Sequence, residues 1–208
     1  MIAQSALIVV DVQNGFIDGA LPVPGGVEVV PIINRLACAF PNIIITQDWH
    51  PPGHVSFASS HPGRQPFDAI ELPYGRQVLW PDHCVQNTHD AALHDALDLP
   101  RAQLLIRKGF HSDVDSYSAF QEADRKTPTG LAGYLRERGI QTLFITGLAT
   151  DFCVAWTAID ARDNGFETCV IEDATRAIDL NDSLAAAWAQ MTAHGVQRIQ
   201  SREIEGFV

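Results

Sequence analysis

The chain of 208 residues is poor in four features, and each shortage excludes something. It has 4 cysteines, Cys38, Cys84, Cys153 and Cys169, with no C-x-x-C pair, which argues against a disulfide framework and for free thiols in a reducing compartment. Long hydrophobic runs are missing: the apolar stretch 6–10 is too short for a membrane span or a signal core, and residues 1–13 carry no basic leader, so a cytoplasmic protein is expected. Positive charge is scarce, with 14 Lys and Arg against 25 Asp and Glu, a formal charge of −11, and no basic cluster interrupts it. Nucleic acid and anionic membranes are therefore excluded as partners. Internal repeats and low-complexity tracts are absent. With 46% apolar and 19% charged residues, one domain spanning 1–208 is expected.

What is present is a set of short, mostly β-branched runs at 6–10, 42–46, 104–107, 142–146, 168–171 and 196–199. Their apolarity is continuous rather than alternating, which predicts burial on both faces. Helical spacing appears at 27–40, 130–138, 151–164 and 183–194, and Gly139, Gly165 and Gly195 stand where the last three helices should stop. Strands alternating with helices predict an α/β domain with a mainly parallel sheet.

Residues 51–100 break this rhythm. They hold Pro51, Pro52, Pro62, Pro66, Pro73 and Pro81, show little periodicity, and carry five of the eight histidines: His54, His61, His83, His89 and His94. A loop-rich insertion that builds a site is expected there.

In a parallel sheet, reactive groups collect at the carboxyl ends of the strands. Asp11, Asp48 and Lys108 each follow an apolar run, and Cys153 lies just beyond another, in Gly147-Leu148-Ala149-Thr150-Asp151-Phe152-Cys153. Thr150 or Asp151 can cap the following helix, placing the Cys153 sulfur in its first turn. Unpaired N–H groups and the positive dipole end there would favour a thiolate and hold an oxyanion. A buried Lys108 would lower the thiol pKa further, and Asp11 could take its proton. Taken singly, each residue also has an ordinary reading, as a buried cysteine, a turn lysine or a capping aspartate. Asp48 and His50 lie two apart on an extended segment, and His83 can complete a three-ligand set of the open, catalytic type. His54 is ambiguous, while His61, His89 and His94 read as surface residues.

The stretches Asp11-Val12-Gln13-Asn14-Gly15-Phe16, Gln47-Asp48-Trp49-His50-Pro51, His54-Val55-Ser56-Phe57, Trp80-Pro81-Asp82-His83-Cys84-Val85-Gln86, Arg107-Lys108-Gly109, Asp115-Ser116-Tyr117-Ser118-Ala119-Phe120 and Gly147 through Val154 together resemble the nicotinamidase/pyrazinamidase branch of the isochorismatase-like cysteine hydrolases. The resemblance covers essentially the whole chain. It implies a three-layer α/β/α, Rossmann-like fold on a six-stranded mainly parallel sheet. It implies a catalytic triad of Asp11, Lys108 and Cys153, and one divalent metal, Zn, Fe or Mn, held by Asp48, His50 and His83, with His54 as a further ligand in some members.

The activity implied is hydrolysis of nicotinamide to nicotinate and ammonia in NAD salvage, with pyrazinamide also accepted. The ring would stack between Phe16 and Trp80 with its nitrogen on the metal, and Leu148 and Tyr117 would be further contacts. The N–H groups of Ala149 and Cys153 would form the oxyanion hole, beside a cis Leu148–Ala149 peptide. Two other readings remain open: a metal-free amidase or carbamoyl hydrolase of the same fold acting on an acyclic amide, and a binding module for a pyridine metabolite. Neither the metal's identity nor the oligomeric state is legible.

Overall fold

Each of the six apolar runs becomes a strand. A computed structural model describes residues 4–204. The chain begins with β1 (Ser5–Val10), a short α1 (Asn14–Ile17), a single 3-10 turn at Gly26–Glu28 and α2 (Val29–Ala39), which accommodates Pro31 in its first turn, where a missing N–H costs nothing. Then follow β2 (Ile43–Asp48), β3 (Ala69–Leu72), β4 (Gly75–Val78), β5 (Leu104–Lys108), α3 (Leu131–Glu137), β6 (Thr142–Leu148) and a π-helical turn at Thr150–Val154 that runs into α4 (Ala155–Asp163). The chain closes with β7 (Glu167–Arg176), α5 (Ser183–Ala193) and β8 (Gln197–Ile199).

The central sheet has the order β5-β2-β1-β6-β7-β8 and every pairing in it is parallel. It separates two cores, because alternate residues of β1 face opposite ways. Leu7 and Val9 pack with α2 through Val29, Ile33 and Leu36, whereas Ala6, Ile8 and Val10 pack with α3, α4 and α5 through Leu131, Leu135, Ala158 and Met191. This is the three-layer arrangement expected.

Burial on both faces holds for the central strands β1 and β2, but not for the edges. At the β5 edge Leu105 is exposed, and β8 is exposed at Gln197 and Arg198. An edge strand lacks the neighbour that would cover it, so its apolar run overstates its burial. The expected strands also end early: β2 and β5 extend to include Asp48 and Lys108, which pair directly in the ladder. Residues 51–100 are not wholly irregular either, since β3 and β4 form an antiparallel hairpin turning at Pro73 and Tyr74.

Candidate active site

The geometry starts from the first strand end. Asp11 sits one residue past β1 with φ of 49°, a left-handed conformation that costs a non-glycine residue about 1–2 kcal/mol. Thr46 on β2 secures it: the Asp11 N–H donates to Thr46 Oγ1 at 3.2 Å, and the Thr46 hydroxyl donates to Asp11 Oδ1 at 2.6 Å. That leaves Asp11 Oδ2 facing Lys108 Nζ at 2.8 Å.

Lys108 is fully buried and is the hub of the site. Its ammonium reaches Asp11, Asp48 Oδ1, the Ser116 carbonyl at 3.0 Å and the Cys153 sulfur at 3.3 Å. Burial alone would lower its pKa, but Asp11, Asp48 and Cys153 hold it well above the ordinary lysine value. The other side of Asp48 looks away from the lysine. Its Oδ2 lies 3.6 Å from His50 Nε2 and 3.9 Å from His83 Nε2. One carboxylate thus belongs to both groups that the sequence suggests, a link that spacing alone did not reveal.

Both imidazoles are pre-aimed. His50 Nδ1–H donates to the Gly109 carbonyl at 2.9 Å and His83 Nδ1–H to the Pro81 carbonyl at 2.8 Å, which leaves each Nε2 turned to Asp48 Oδ2. Buried Phe57 packs its ring edgewise against both. Burial, then the charge of His50, pushes His83 down to about 4, so it is neutral and able to ligate. For Asp48, burial works upward, but Lys108, His50 and His83 hold it well below the usual carboxylate range. The donor atoms of Asp48, His50 and His83 lie within 4.8 Å of one another. A carboxylate oxygen and two oriented imidazoles suit a divalent transition ion with positions left open, so these residues fit the metal the sequence implies. His54 is differently engaged: Nε2–H donates to Val114 O at 3.1 Å and Nδ1 accepts from the Ser56 hydroxyl at 2.8 Å, with its ring 4.3 Å from that of His50.

Supporting residues explain why the strand ends hold their places. The Gln13 side chain donates to Asp48 O at 2.9 Å and accepts from Asp48 N–H at 2.8 Å, tying the end of β2 to the residues after β1. Gly109, at φ of 66°, lies so close to His50 that a Cβ there would stand 2.4 Å from the ring. Only glycine fits after Lys108.

The thiol departs from expectation. Cys153 is buried, and burial, with the neighbouring Asp11 and Asp48, raises its pKa well above the ordinary thiol value although Lys108 pulls the other way. The expected thiolate-favouring turn is therefore a neutral thiol at rest. Burial pushes Asp11 up to about 6, against the opposing pull of Lys108. Nor do Thr150 or Asp151 cap the turn. Asp151 points instead to the segment before α5, accepting from the N–H groups of Ile178 and Asp179 at 3.1 and 2.8 Å and from the Ser183 hydroxyl at 2.5 Å. The Leu148–Ala149 peptide is cis, as expected.

These groups open into a narrow cavity lined by Phe16, Trp80, Tyr117, Ala149 and Cys153 together with Asp48, His50 and His83. Leu148 does not reach it; its side chain is fully buried in the core. Phe152 does, although its position beside Cys153 was the only signal in the sequence. Its ring meets Trp80 edge-on at 4.8 Å. Asp115 also lines the cavity, in the motif from which Tyr117 alone is expected as a contact.

The isochorismatase domain pattern matches residues 5–203. The chain belongs to the isochorismatase family. Within that family it is 66% identical over 200 residues to a nicotinamidase of Acinetobacter baylyi, covering 96% of this chain and 94% of the relative. A solved nicotinamidase/pyrazinamidase from Acinetobacter baumanii superposes with TM-score 0.96 at 61% identity, covering 97% and 98% of the two chains. PnC1 from L. infantum, solved in complex with nicotinate, gives TM-score 0.85 at 38% identity over 97% of this chain and 95% of its own. A pyrazinamidase of Pyrococcus horikoshii, solved in complex with zinc, gives 0.77 at 36% identity over 95% and 99%. Among the described residues no helix is long and apolar enough to cross a membrane.

Proposed function

We propose that this protein is an amide hydrolase that converts nicotinamide to nicotinate and ammonia, and that it also accepts pyrazinamide. The observation that carries the reading is the shared Asp48: a buried Asp11–Lys108–Cys153 cluster and an Asp48–His50–His83 donor set meet on one carboxylate at the wall of one aromatic-lined cavity. The nicotinamidase relatives at high identity support the same substrate.

Asp11 is the base. Facing a neutral thiol, it takes the Cys153 proton as the sulfur attacks the amide carbon, forming the C–S bond while the carbonyl electrons move to oxygen. The N–H groups of Ala149 and Cys153 would receive that oxyanion. Asp11 then returns its proton to the amide nitrogen, the C–N bond breaks and ammonia leaves. Water, deprotonated in turn by Asp11, cleaves the thioester to the acid and restores the thiol. Throughout, Lys108 keeps the carboxylates and sulfur together while the proton moves. Phe16, Trp80, Phe152 and Tyr117 would enclose the ring and exclude bulk water.

A Zn, Fe or Mn ion held by Asp48 Oδ2, His50 Nε2 and His83 Nε2 would supply a Lewis-acid anchor for the pyridine nitrogen. Four free thiols fit a reducing compartment, which supports a cytoplasmic role in NAD recovery. The test is ammonia release from nicotinamide by purified protein, before and after chelation, with Cys153→Ala alongside. Release that chelation weakens and Cys153→Ala abolishes is expected. A chelator-insensitive enzyme would favour an acyclic amide instead, and activity surviving in Cys153→Ala would overturn the mechanism.

A further inference from the structure

Asp115 is the charged cavity residue that this chemistry leaves unused. It is buried and lines the cavity beside His50, with its carboxylate and the ring nitrogens of His50 and His54 within 4.8 Å of one another. Both oxygens act as acceptors, Oδ1 from the Ser116 N–H at 2.8 Å and Oδ2 from the Gln77 side-chain amide at 2.7 Å, the pattern of an ionised carboxylate. Both donors are neutral. The nearby ammonium of Lys108 is committed to Asp11, Asp48, Cys153 and the Ser116 carbonyl, and among the described residues no ion pair includes Asp115. A buried carboxylate without a cation is expensive to keep, so a packing role alone explains it poorly.

The cavity thus has three carboxylates, Asp11, Asp48 and Asp115, in its wall or directly beneath it, against one ammonium. A divalent ion in the Asp48–His50–His83 set would bring the total to zero. A neutral site receives a neutral amide without penalty, whereas the acid made from it adds a negative charge to a cavity whose charges already balance, with Asp115 in its wall.

We infer that Asp115 sets the preference of this site for the neutral amide over its anionic product, so that hydrolysis itself loosens the ligand. The inference rests on the proposed amide hydrolysis and assigns Asp115 a specificity role within it. Removing the charge should make the site more hospitable to the acid and leave the amide nearly unaffected.

The test uses the metal-loaded protein in a Cys153→Ala background, where neither ligand turns over, and measures binding of nicotinamide and of nicotinate by calorimetry with and without Asp115→Asn. Nicotinate should bind about tenfold tighter in the double variant, with nicotinamide changed less than about threefold. In the active enzyme, Asp115→Asn should show a matching fall in the inhibition constant of nicotinate. Weakening of both ligands together would assign Asp115 to packing and overturn the inference, as would an unchanged nicotinate affinity. Asp115→Glu, which keeps the charge, should return nicotinate to weak binding. Failure of the underlying reading shows elsewhere, as no ammonia release from nicotinamide by the wild type; the binding ratio still decides the role of Asp115, and if neither ligand binds, both readings fall.

Discussion

Asp48 gives one oxygen to Lys108 and turns the other to His50 and His83, so substitutions on its two sides should separate two functions. Asp11→Asn keeps the shape of the Lys108 cluster but removes the base: turnover should fall by at least about a thousandfold while bound metal, measured by elemental analysis, stays near wild type. His83→Ala should lose metal first. Equal metal loss in both would show that the two sets do not act separately. The acid limb of kcat/KM belongs to the same scale. Turnover requires Asp11 ionised, and burial pushes that group up to about 6, so activity should fall as pH drops through about 6; a limb below about 4.5 would place the base elsewhere. At this scale Asp11, Lys108, Cys153, Asp48, His50 and His83 were legible because a parallel sheet delivers strand-end residues to one edge. The state of the thiol was not, since it depends on how deeply three strand ends bury one another. Phe152 and Asp115 were missed for a related reason: a cavity wall is assembled across elements that lie far apart in sequence.

Elements hold these residues by backbone fit. Gly109 follows β5 with a left-handed backbone and no room for a side chain beside His50. Gly109→Ala should cost about 1–2 kcal/mol from the backbone alone, seen as a lower Tm, and should weaken metal retention by displacing the His50 ring. Normal metal content with normal Tm would mean that the loop relaxes freely. The helix-start reading at Asp151 failed instructively. Its carboxylate satisfies Ile178, Asp179 and Ser183, fastening the segment before α5 rather than the turn that carries Cys153. An aspartate near a helix start advertises a cap to the nearest helix, yet a partner 27 residues on can take it. The hairpin of β3 and β4 escaped notice because its strands are only 4 residues each and largely exposed, too short for a periodic pattern to stand out among the prolines around them.

At the scale of the molecule, the sheet order and its two cores follow from patterns visible in the runs themselves, and only the edge strands mislead. A buried donor set fed by β2, the insertion and the neighbouring loops should also couple ligand binding to folding. Metal removal should therefore lower the Tm: saturation a hundredfold above Kd contributes about 2.7 kcal/mol, or about 5–10 °C for a domain of this size. A chelator that leaves the melting curve unmoved in wild type and shifts nothing in His83→Ala would show that the set holds no ion.

The burial of Cys153 bears on how the protein ages. Peroxide attacks thiolates, and this sulfur keeps its proton at rest, held up by burial and by the carboxylates beside it. Of the four thiols only Cys38 is exposed. Air and bulky thiol reagents should meet Cys38 first and leave the nucleophile intact, so a preparation stored without reductant would gain intermolecular links through a surface outside the cavity well before it lost its chemistry.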